Sequence, residues 1–135
     1  MNNSSTKSKS ILIIEDQLPL LEAIMTQFER SHFRVLTART VDQAMDIIHG
    51  SEEIDAIWLD HYLLGKEDGL DFVSKLKADE GRAGKIPIFV VSNTASPEKV
   101  HSYLQLGVKK YYVKSEHRLD EIMLSIRQHL DHPEG

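Results

Sequence analysis

The sequence contains no cysteine. Disulfide bonds, thiolate metal sites and cysteine nucleophiles are therefore excluded. It also contains no apolar run that approaches the roughly 20 residues that a membrane-spanning helix needs. The segment from Met1 to Ser10 is polar and lacks the apolar centre of a signal peptide. We therefore expect a cytoplasmic protein without a membrane segment.

Basic residues are also outnumbered by acidic residues. The chain has 16 Lys and Arg residues against 21 Asp and Glu residues, which gives a formal net charge of -5. Such a chain has no general electrostatic attraction to nucleic acid or to an anionic membrane. We therefore expect no direct contact with either, and a surface of mixed charge.

Short apolar runs alternate with helical patterns along the 135 residues. Because the strand-like runs are apolar almost throughout, they are typical of parallel strands that are buried on both faces. The runs fall at 11–14, 33–36, 54–59, 86–91 and 111–113. We predict a three-layer, doubly wound α/β domain over residues 10–131, a (βα)5 arrangement with a parallel five-stranded sheet. Polar tails would precede and follow it at 1–9 and 132–135.

Two helices carry clear start signals. Thr40 with Gln43 three residues later predicts a capping box, in which each side chain accepts from the other residue's backbone N–H. Ser96 followed by Pro97 predicts a capped helix with proline in its first turn. Gly107 is placed to end that helix.

Polar and charged residues follow four of the five apolar runs. In a doubly wound sheet, ligands bind beyond the carboxyl ends of the strands, so these residues would meet at one edge. Each one alone is unremarkable, since a strand-end acid often caps a helix. Two carboxylates about 5 Å apart repel by roughly 3 kcal/mol at an effective dielectric near 20. The residues at these ends are Glu15, Asp16, Asp60, Ser92 and Lys114.

This set of groups predicts a magnesium site that carries out phosphoryl transfer. Hard carboxylate oxygens without cysteine suit Mg²⁺, which leaves positions open for phosphate oxygens. Asp60 is the best nucleophile, because a carboxylate can attack phosphorus in line and form an acyl phosphate. Lys114 would neutralise charge on the phosphoryl oxygens, and the Ser92 hydroxyl would donate to one of them.

These residues resemble the receiver domain of two-component response regulators. The resemblance covers about residues 10 to 130, and it implies a flavodoxin-like fold with strand order 2-1-3-4-5. Each short motif is weak alone, but their order and their positions at strand ends make the set specific. The motifs are Ile-Ile-Glu-Asp at 13–16, Trp-Leu-Asp at 58–60, Asp-Gly at 68–69, Val-Val-Ser at 90–92 and Tyr-Tyr-Val-Lys at 111–114.

The resemblance implies a role for each matching residue. Asp60 matches the phosphoacceptor and Lys114 the family's lysine. Asp16 matches the direct metal ligand and Glu15 an acid that acts through a metal-bound water. Tyr62 would offer its backbone carbonyl to the metal.

The resemblance also implies a switch. Ser92 would move toward the phosphoryl oxygen, and Tyr111 would turn into the space that it leaves. The repacked face would consist of the fourth helix, the fifth strand and the fifth helix. We expect phosphate from a histidine kinase or phosphotransfer protein, and a downstream protein target on that face. Because the chain ends soon after the fifth helix, we expect a stand-alone signalling domain that is not an enzyme.

Three positions depart from the family pattern. Ser115 stands where proline usually follows the lysine, which makes a cis peptide bond less favoured there. Leu64 stands where the loop after Asp60 usually has proline, and Gly65-Lys66 lengthens that loop, so its shape is open. Glu15 replaces the commoner Asp. We also expect the Tyr62 ring to lie at the mouth of the site, where it would slow water attack on an acyl phosphate.

Other functions stay open at this point. A receiver-like scaffold would no longer take phosphate. A phosphatase of the haloacid-dehalogenase type would need a second acid at the position of Tyr62, and a flavin module would need a phosphate loop where Glu15 and Asp16 stand.

The seven histidines show no metal-ligand spacing. We expect them to serve packing or surface roles. The His61 side chain is expected to point away from the site, and Trp58 is expected to lie in the core. On or near predicted helix surfaces are His101, His117, His129 and His132.

Overall fold

A five-stranded parallel sheet forms the centre of the protein in the computed structural model, which describes residues 8–94 and 96–132. The strand order is β2-β1-β3-β4-β5, so the predicted order is confirmed. Most of both predicted tails, residues 1–7 and 133–135, lies outside the described residues. The strands are β1 (Ser10–Ile14), β2 (Arg34–Ala38), β3 (Ala56–Leu59), β4 (Ile88–Ser92) and β5 (Lys110–Val113).

Helices cover both faces of this sheet. Short 3-10 helices at Ala83–Lys85 and Lys114–Glu116 complete the connections. Within the described residues, no helix combines the length and the apolar character needed to cross a bilayer. The α-helices are α1 (Leu18–Arg30), α2 (Val41–Ile48), α3 (Gly69–Lys77), α4 (Pro97–Gln105) and α5 (Leu119–Asp131).

The core has two halves, one on each face of the sheet. Successive residues of a strand point to opposite faces. In β1, Leu12 and Ile14 therefore belong to the cluster beneath α2, α3 and α4, while Ile11 and Ile13 belong to the cluster beneath α1 and α5. All five β1 residues are buried because each face has a helical layer over it. The predicted three-layer arrangement is confirmed.

The helix starts match the sequence prediction in part. Ser96 Oγ accepts from the Lys99 backbone N–H at 3.4 Å, and Thr40 accepts from Gln43 N at 3.1 Å. The second bond of the predicted capping box would run from the Thr40 backbone N–H to the Gln43 side chain. This prediction is wrong, because Gln43 Oε1 accepts from Arg39 N instead, at 2.8 Å. The side chain therefore reaches one residue further back and fixes the end of β2.

The second strand lies later than the sequence predicted. Phe33 precedes β2, and its ring meets Phe28 edge-on at 5.0 Å between ring centres. Phe33 is apolar because it packs in the core cluster under α1. The strand then continues to Ala38, which places Arg39 directly beyond its carboxyl end.

The Phe28 ring should be a main contributor to stability. It is fully buried, and it also meets Trp58 edge-on at 5.8 Å. We expect Phe28→Ala to lower the free energy of unfolding by about 3–5 kcal/mol in urea titrations, because the cavity cannot collapse fully. Leu124→Ala, at an exposed position on α5, is the control and should change it by less than about 0.5 kcal/mol. Equal losses in both variants would contradict this.

Candidate functional site

Three carboxylates meet at the carboxyl edge of the sheet. One oxygen from each of Glu15, Asp16 and Asp60 lies within 4.8 Å of the others. The register explains this, because Ile14 pairs with Leu59 and so brings the next residues of β1 and β3 side by side. Glu15 and Asp60 are buried, and Asp16 is half-buried. Oxygen ligands in this arrangement are able to hold a metal ion.

The Lys114 ammonium spans two of these acids. Its Nζ lies 3.2 Å from Glu15 Oε1 and 3.4 Å from Asp60 Oδ1. The side chain is 18% exposed, so its charge is partly removed from solvent. Lys114 therefore supplies positive charge beside the Asp60 carboxylate, as its position after β5 predicts.

Burial makes the carboxylate cluster electrostatically unfavourable at neutral pH. The pKa of Asp60 is raised from 3.8 to about 7. Loss of solvation is the largest cause, the Glu15 charge acts in the same direction, and Lys114 opposes both effects. Burial also raises the pKa of Glu15 against the attraction of Lys114. One ammonium group is thus insufficient for these acids, and a bound divalent cation would remove the imbalance.

Ser92 and Tyr111 converge on Thr94. Ser92 is buried at the end of β4, and its Oγ accepts from Thr94 N at 3.4 Å. The Tyr111 hydroxyl donates to the Thr94 carbonyl at 2.8 Å. Burial raises the pKa of Tyr111, and hydrogen bonding with the Ser92 side chain partly offsets this. Both residues are therefore next to each other, and the half-buried Tyr111 ring already packs on the core.

The loop after Asp60 is held at several points. Leu64 N donates to the Arg39 carbonyl at 3.2 Å, and Gly65 adopts a φ of +92° that favours glycine. Glu67 pairs with Lys75 at 2.7 Å. The extra loop length is thus accommodated by a turn at Gly65, which answers the question that the sequence left open.

Tyr62, two residues after Asp60, is 54% exposed. Its ring meets the His61 ring edge-on at 4.6 Å, and the Lys99 ammonium lies 5.3 Å from its centre. These contacts hold the ring between the loop and the start of α4. At the other departure from the family pattern, Ser115 lies in the short helix after β5, and the described residues have no cis peptide bond.

Arg39 is a site residue that the sequence reasoning missed. Its guanidinium donates to the Asp16 carbonyl through Nε at 3.1 Å and Nη2 at 2.6 Å. This two-point contact fixes the backbone that carries Asp16. The signal was available, since Arg39 follows a strand as the other site residues do. It was overlooked because the strand was expected to end at Leu36.

His61 and Tyr103 form a second unpredicted feature. His61 is 3% exposed, and its Nδ1 is hydrogen-bonded to the Tyr103 hydroxyl at 2.6 Å. The imidazole thus contacts α4. The remaining described histidines are exposed or, for His129, half-buried against Phe89 with ring centres 5.5 Å apart.

A sheet of this order with an acidic cluster at its carboxyl edge defines a response-regulator type of domain. The profile of the response regulator receiver domain matches residues 11–127. The chain belongs to this family.

Two named regulatory proteins are similar to this chain in sequence. The phosphate regulon transcriptional regulatory protein PhoB of Pseudomonas aeruginosa is 30% identical over 106 residues, which cover 78% of this chain and 45% of that protein. The transcriptional regulatory protein DcuR of Escherichia coli is 30% identical over 129 residues, with 88% of this chain and 50% of that protein covered. The chain thus spans about half the length of these two regulators.

Solved structures share the fold. The phosphorylated cyanobacterial phytochrome response regulator RcpA superposes with a TM-score of 0.83 at 23% identity, covering 96% of this chain and 98% of that one. The receiver domain of a Pseudomonas aeruginosa sensor histidine kinase gives a TM-score of 0.79 at 22% identity, covering 93% and 99%. That structure has a magnesium ion in its active site cleft.

The raised pKa of Asp60 predicts a pH-dependent stability. The folded-state pKa lies above the unfolded value, so the folded state binds the extra proton, and stability falls as pH rises toward and through about 7. In EDTA, Asp60→Asn should stabilise the protein relative to wild type more at pH 8 than at pH 5.5, by on the order of 1 kcal/mol. Urea unfolding at the two pH values measures the difference.

The control for that experiment is Asp46→Asn, which changes an exposed acid on α2. We expect no comparable pH dependence there. An advantage of Asp60→Asn that is equal at both pH values would show that Asp60 ionises normally.

Proposed function

We propose that the protein is a signalling switch in which Asp60 accepts a phosphoryl group in a Mg²⁺-dependent reaction. The donor is the phosphohistidine of a histidine kinase or of a phosphotransfer protein. The observation that carries the proposal is the cluster of Glu15, Asp16 and Asp60, three acids with one oxygen each within 4.8 Å of one another. Among the residues that the structure describes, Lys114 is the one cation in ion-pair contact with the cluster, through Glu15 and Asp60. Family membership supports the same conclusion.

The residues present fit a magnesium ion. Asp16 and Asp60 would bind it directly, Glu15 through a water molecule, and Tyr62 through its backbone carbonyl. The fit rests on the charge imbalance described above, together with oxygen donors and no thiolate. When bound, the ion supplies positive charge to the oxygens of the phosphoryl group. Arg39 fixes the Asp16 backbone in place for this role.

The chain's own groups then account for the transfer. An Asp60 carboxylate oxygen forms a bond to phosphorus as the phosphorus–nitrogen bond of the donor breaks. The imidazole leaves with the electron pair and takes a proton from solvent. Lys114, 3.4 Å from Asp60 Oδ1, would pair with a phosphoryl oxygen. Ser92 would donate its hydroxyl proton to another.

The same contacts provide an output. If Ser92 turns its hydroxyl to the phosphoryl group, its interaction with Tyr111 changes, and the Tyr111 ring repacks against α4. A shift of this kind alters the face formed by α4, β5 and α5. A downstream protein target reads that face by direct contact, without nucleic acid or a membrane.

The competing functions receive less support. A flavin phosphate bound at the end of β1 would meet the acids of Glu15, Asp16 and Asp60. A haloacid-dehalogenase mechanism lacks its second acid, since Tyr62 occupies that position. A scaffold without phosphorylation is the alternative that the next experiment decides.

Phosphorylation is tested with acetyl phosphate and Mg²⁺ and read by intact mass. We expect one phosphoryl adduct on wild type, because the acetyl phosphorus–oxygen bond breaks as Asp60 attacks. Asp60→Asn should show none, and Asp46→Asn should match wild type. Omission of Mg²⁺ with EDTA should abolish the adduct. Absence of an adduct on wild type would favour the scaffold.

The Tyr62 ring should set the lifetime of the adduct. Tyr62 is exposed two residues after Asp60, and from there its ring would shield the acyl phosphate from water. We expect Tyr62→Asn to speed loss of the adduct several-fold after acetyl phosphate is removed. Leu64→Asn changes an exposed apolar side chain in the same loop and serves as the control. Unchanged decay in Tyr62→Asn would show that the ring has no shielding role.

A further inference from the structure

The His61 imidazole lies between the loop after Asp60 and helix α4. It is buried, and its Nδ1 is 2.6 Å from the hydroxyl of Tyr103, which is itself fully buried on α4. The two rings meet edge-on with centres 5.7 Å apart. Asp68 Oδ2 lies 3.8 Å from the other ring nitrogen. A buried hydrogen bond of this kind is short and keeps each polar group from being left without a partner.

The backbone of His61 is fixed as firmly as its ring. The Asp60 N–H donates to the Ile14 carbonyl at 3.0 Å, and the Gly69 N–H donates to the His61 carbonyl at 2.9 Å. A Cβ on residue 69 would lie 2.2 Å from the Tyr103 hydroxyl oxygen. The hydroxyl thus fills the space that Gly69 leaves open, and β3, α3 and α4 meet at one point.

Tyr103 also contacts the residue that repacks in the proposed switch. Its ring centre is 5.7 Å from that of Tyr111, with 49° between the ring planes. A continuous line of contacts therefore runs from Asp60 through His61 and Tyr103 to Tyr111. This line does not pass through Ser92. It starts with the residues that directly follow Asp60 in the chain, the same segment that carries the Tyr62 backbone carbonyl.

We propose that the His61–Tyr103 hydrogen bond is a second connection from the phosphorylation site to α4, parallel to the one through Ser92. It rests on the proposed function of Asp60. His61 is then a positioning residue: a change in the backbone at 60–62 moves its imidazole, and the imidazole moves the Tyr103 hydroxyl with it. Packed interiors respond to small displacements by shifting whole elements, so α4 and the Tyr111 ring follow.

The test separates transmission from the chemistry. Amide NMR spectra of the full chain are recorded with Mg²⁺, before and after addition of acetyl phosphate. Wild type should show shifts both near Glu15 and Asp16 and along α4. Tyr103→Phe removes one hydroxyl, and we expect it to keep the adduct rate and the shifts near the acids while the α4 shifts fall by half or more.

Tyr112→Phe is the matched control. Tyr112 is also buried on the sheet, and its hydroxyl is hydrogen-bonded to Ser125 at 2.6 Å on the opposite face. It should retain the α4 response. His61→Gln keeps a polar group that is able to bond the Tyr103 hydroxyl and should restore most of the response, whereas His61→Leu should lose it. A purely structural role would lower stability without separating these two responses.

Several results would overturn the inference. One is a full α4 response in Tyr103→Phe. Another is loss of the adduct in Tyr103→Phe with a normal adduct in Tyr112→Phe, which would assign the hydroxyl to the chemistry. If wild type forms no adduct, the proposed function fails separately. The shifts that Asp60→Asn causes in α4 are then compared in the wild-type and Tyr103→Phe backgrounds, and equal shifts would overturn the connection.

Discussion

Repulsion among buried acids at one edge of the sheet is the constraint on which the rest of the structure depends. Glu15 and Asp60 are held side by side by the pairing of β1 with β3, and neither can retreat into solvent. The Lys114 ammonium is the one cation in ion-pair contact with them among the described residues. The unfavourable electrostatic free energy of this arrangement is offset by burial of the large apolar core on both faces of the sheet. A ligand that adds positive charge at this edge, or that redistributes the charge there, therefore changes the electrostatic free energy of the acid cluster.

The most predictable parts of the molecule were those governed by burial and by the parallel sheet. Apolar runs that end on Asp60, Ser92 and Lys114 indicate both the strands and the edge where their carboxyl ends meet. No tertiary information is needed for this, because the period of a strand and the topology of a parallel sheet place the ends together. The family resemblance depended on the same strand-end residues. Fold and acidic cluster were thus foreseen together, from one set of positions.

The features that the sequence did not reveal depend on contacts between distant segments. Arg39 was hidden by an error of two residues in the end of β2, because the predicted apolar run ended at Leu36 while the strand continues through Thr37 and Ala38. The His61–Tyr103 pair joins residues 42 positions apart, and no periodic pattern connects them. Gln43 carries a capping-box signal, yet its amide caps the end of the strand, since Arg39 N competes for the same oxygen. Local sequence rules identify the groups that are able to form such bonds, but tertiary packing determines which partner each group bonds.

The close approach of Tyr103 to Gly69 has a consequence for how this chain is able to diverge. The Asp-Gly pair at 68–69 looks like a local turn signal, but here the missing side chain makes room for a hydroxyl from a helix some thirty positions away. An alanine at position 69 is compatible with the fold only after the hydroxyl at 103 has gone, and even then the His61 Cα at 3.1 Å and the Asp60 carbonyl at 3.2 Å must give way slightly. The order of substitutions is therefore constrained. Among related sequences, a residue larger than glycine at 69 should be found together with a smaller or shorter residue at 103.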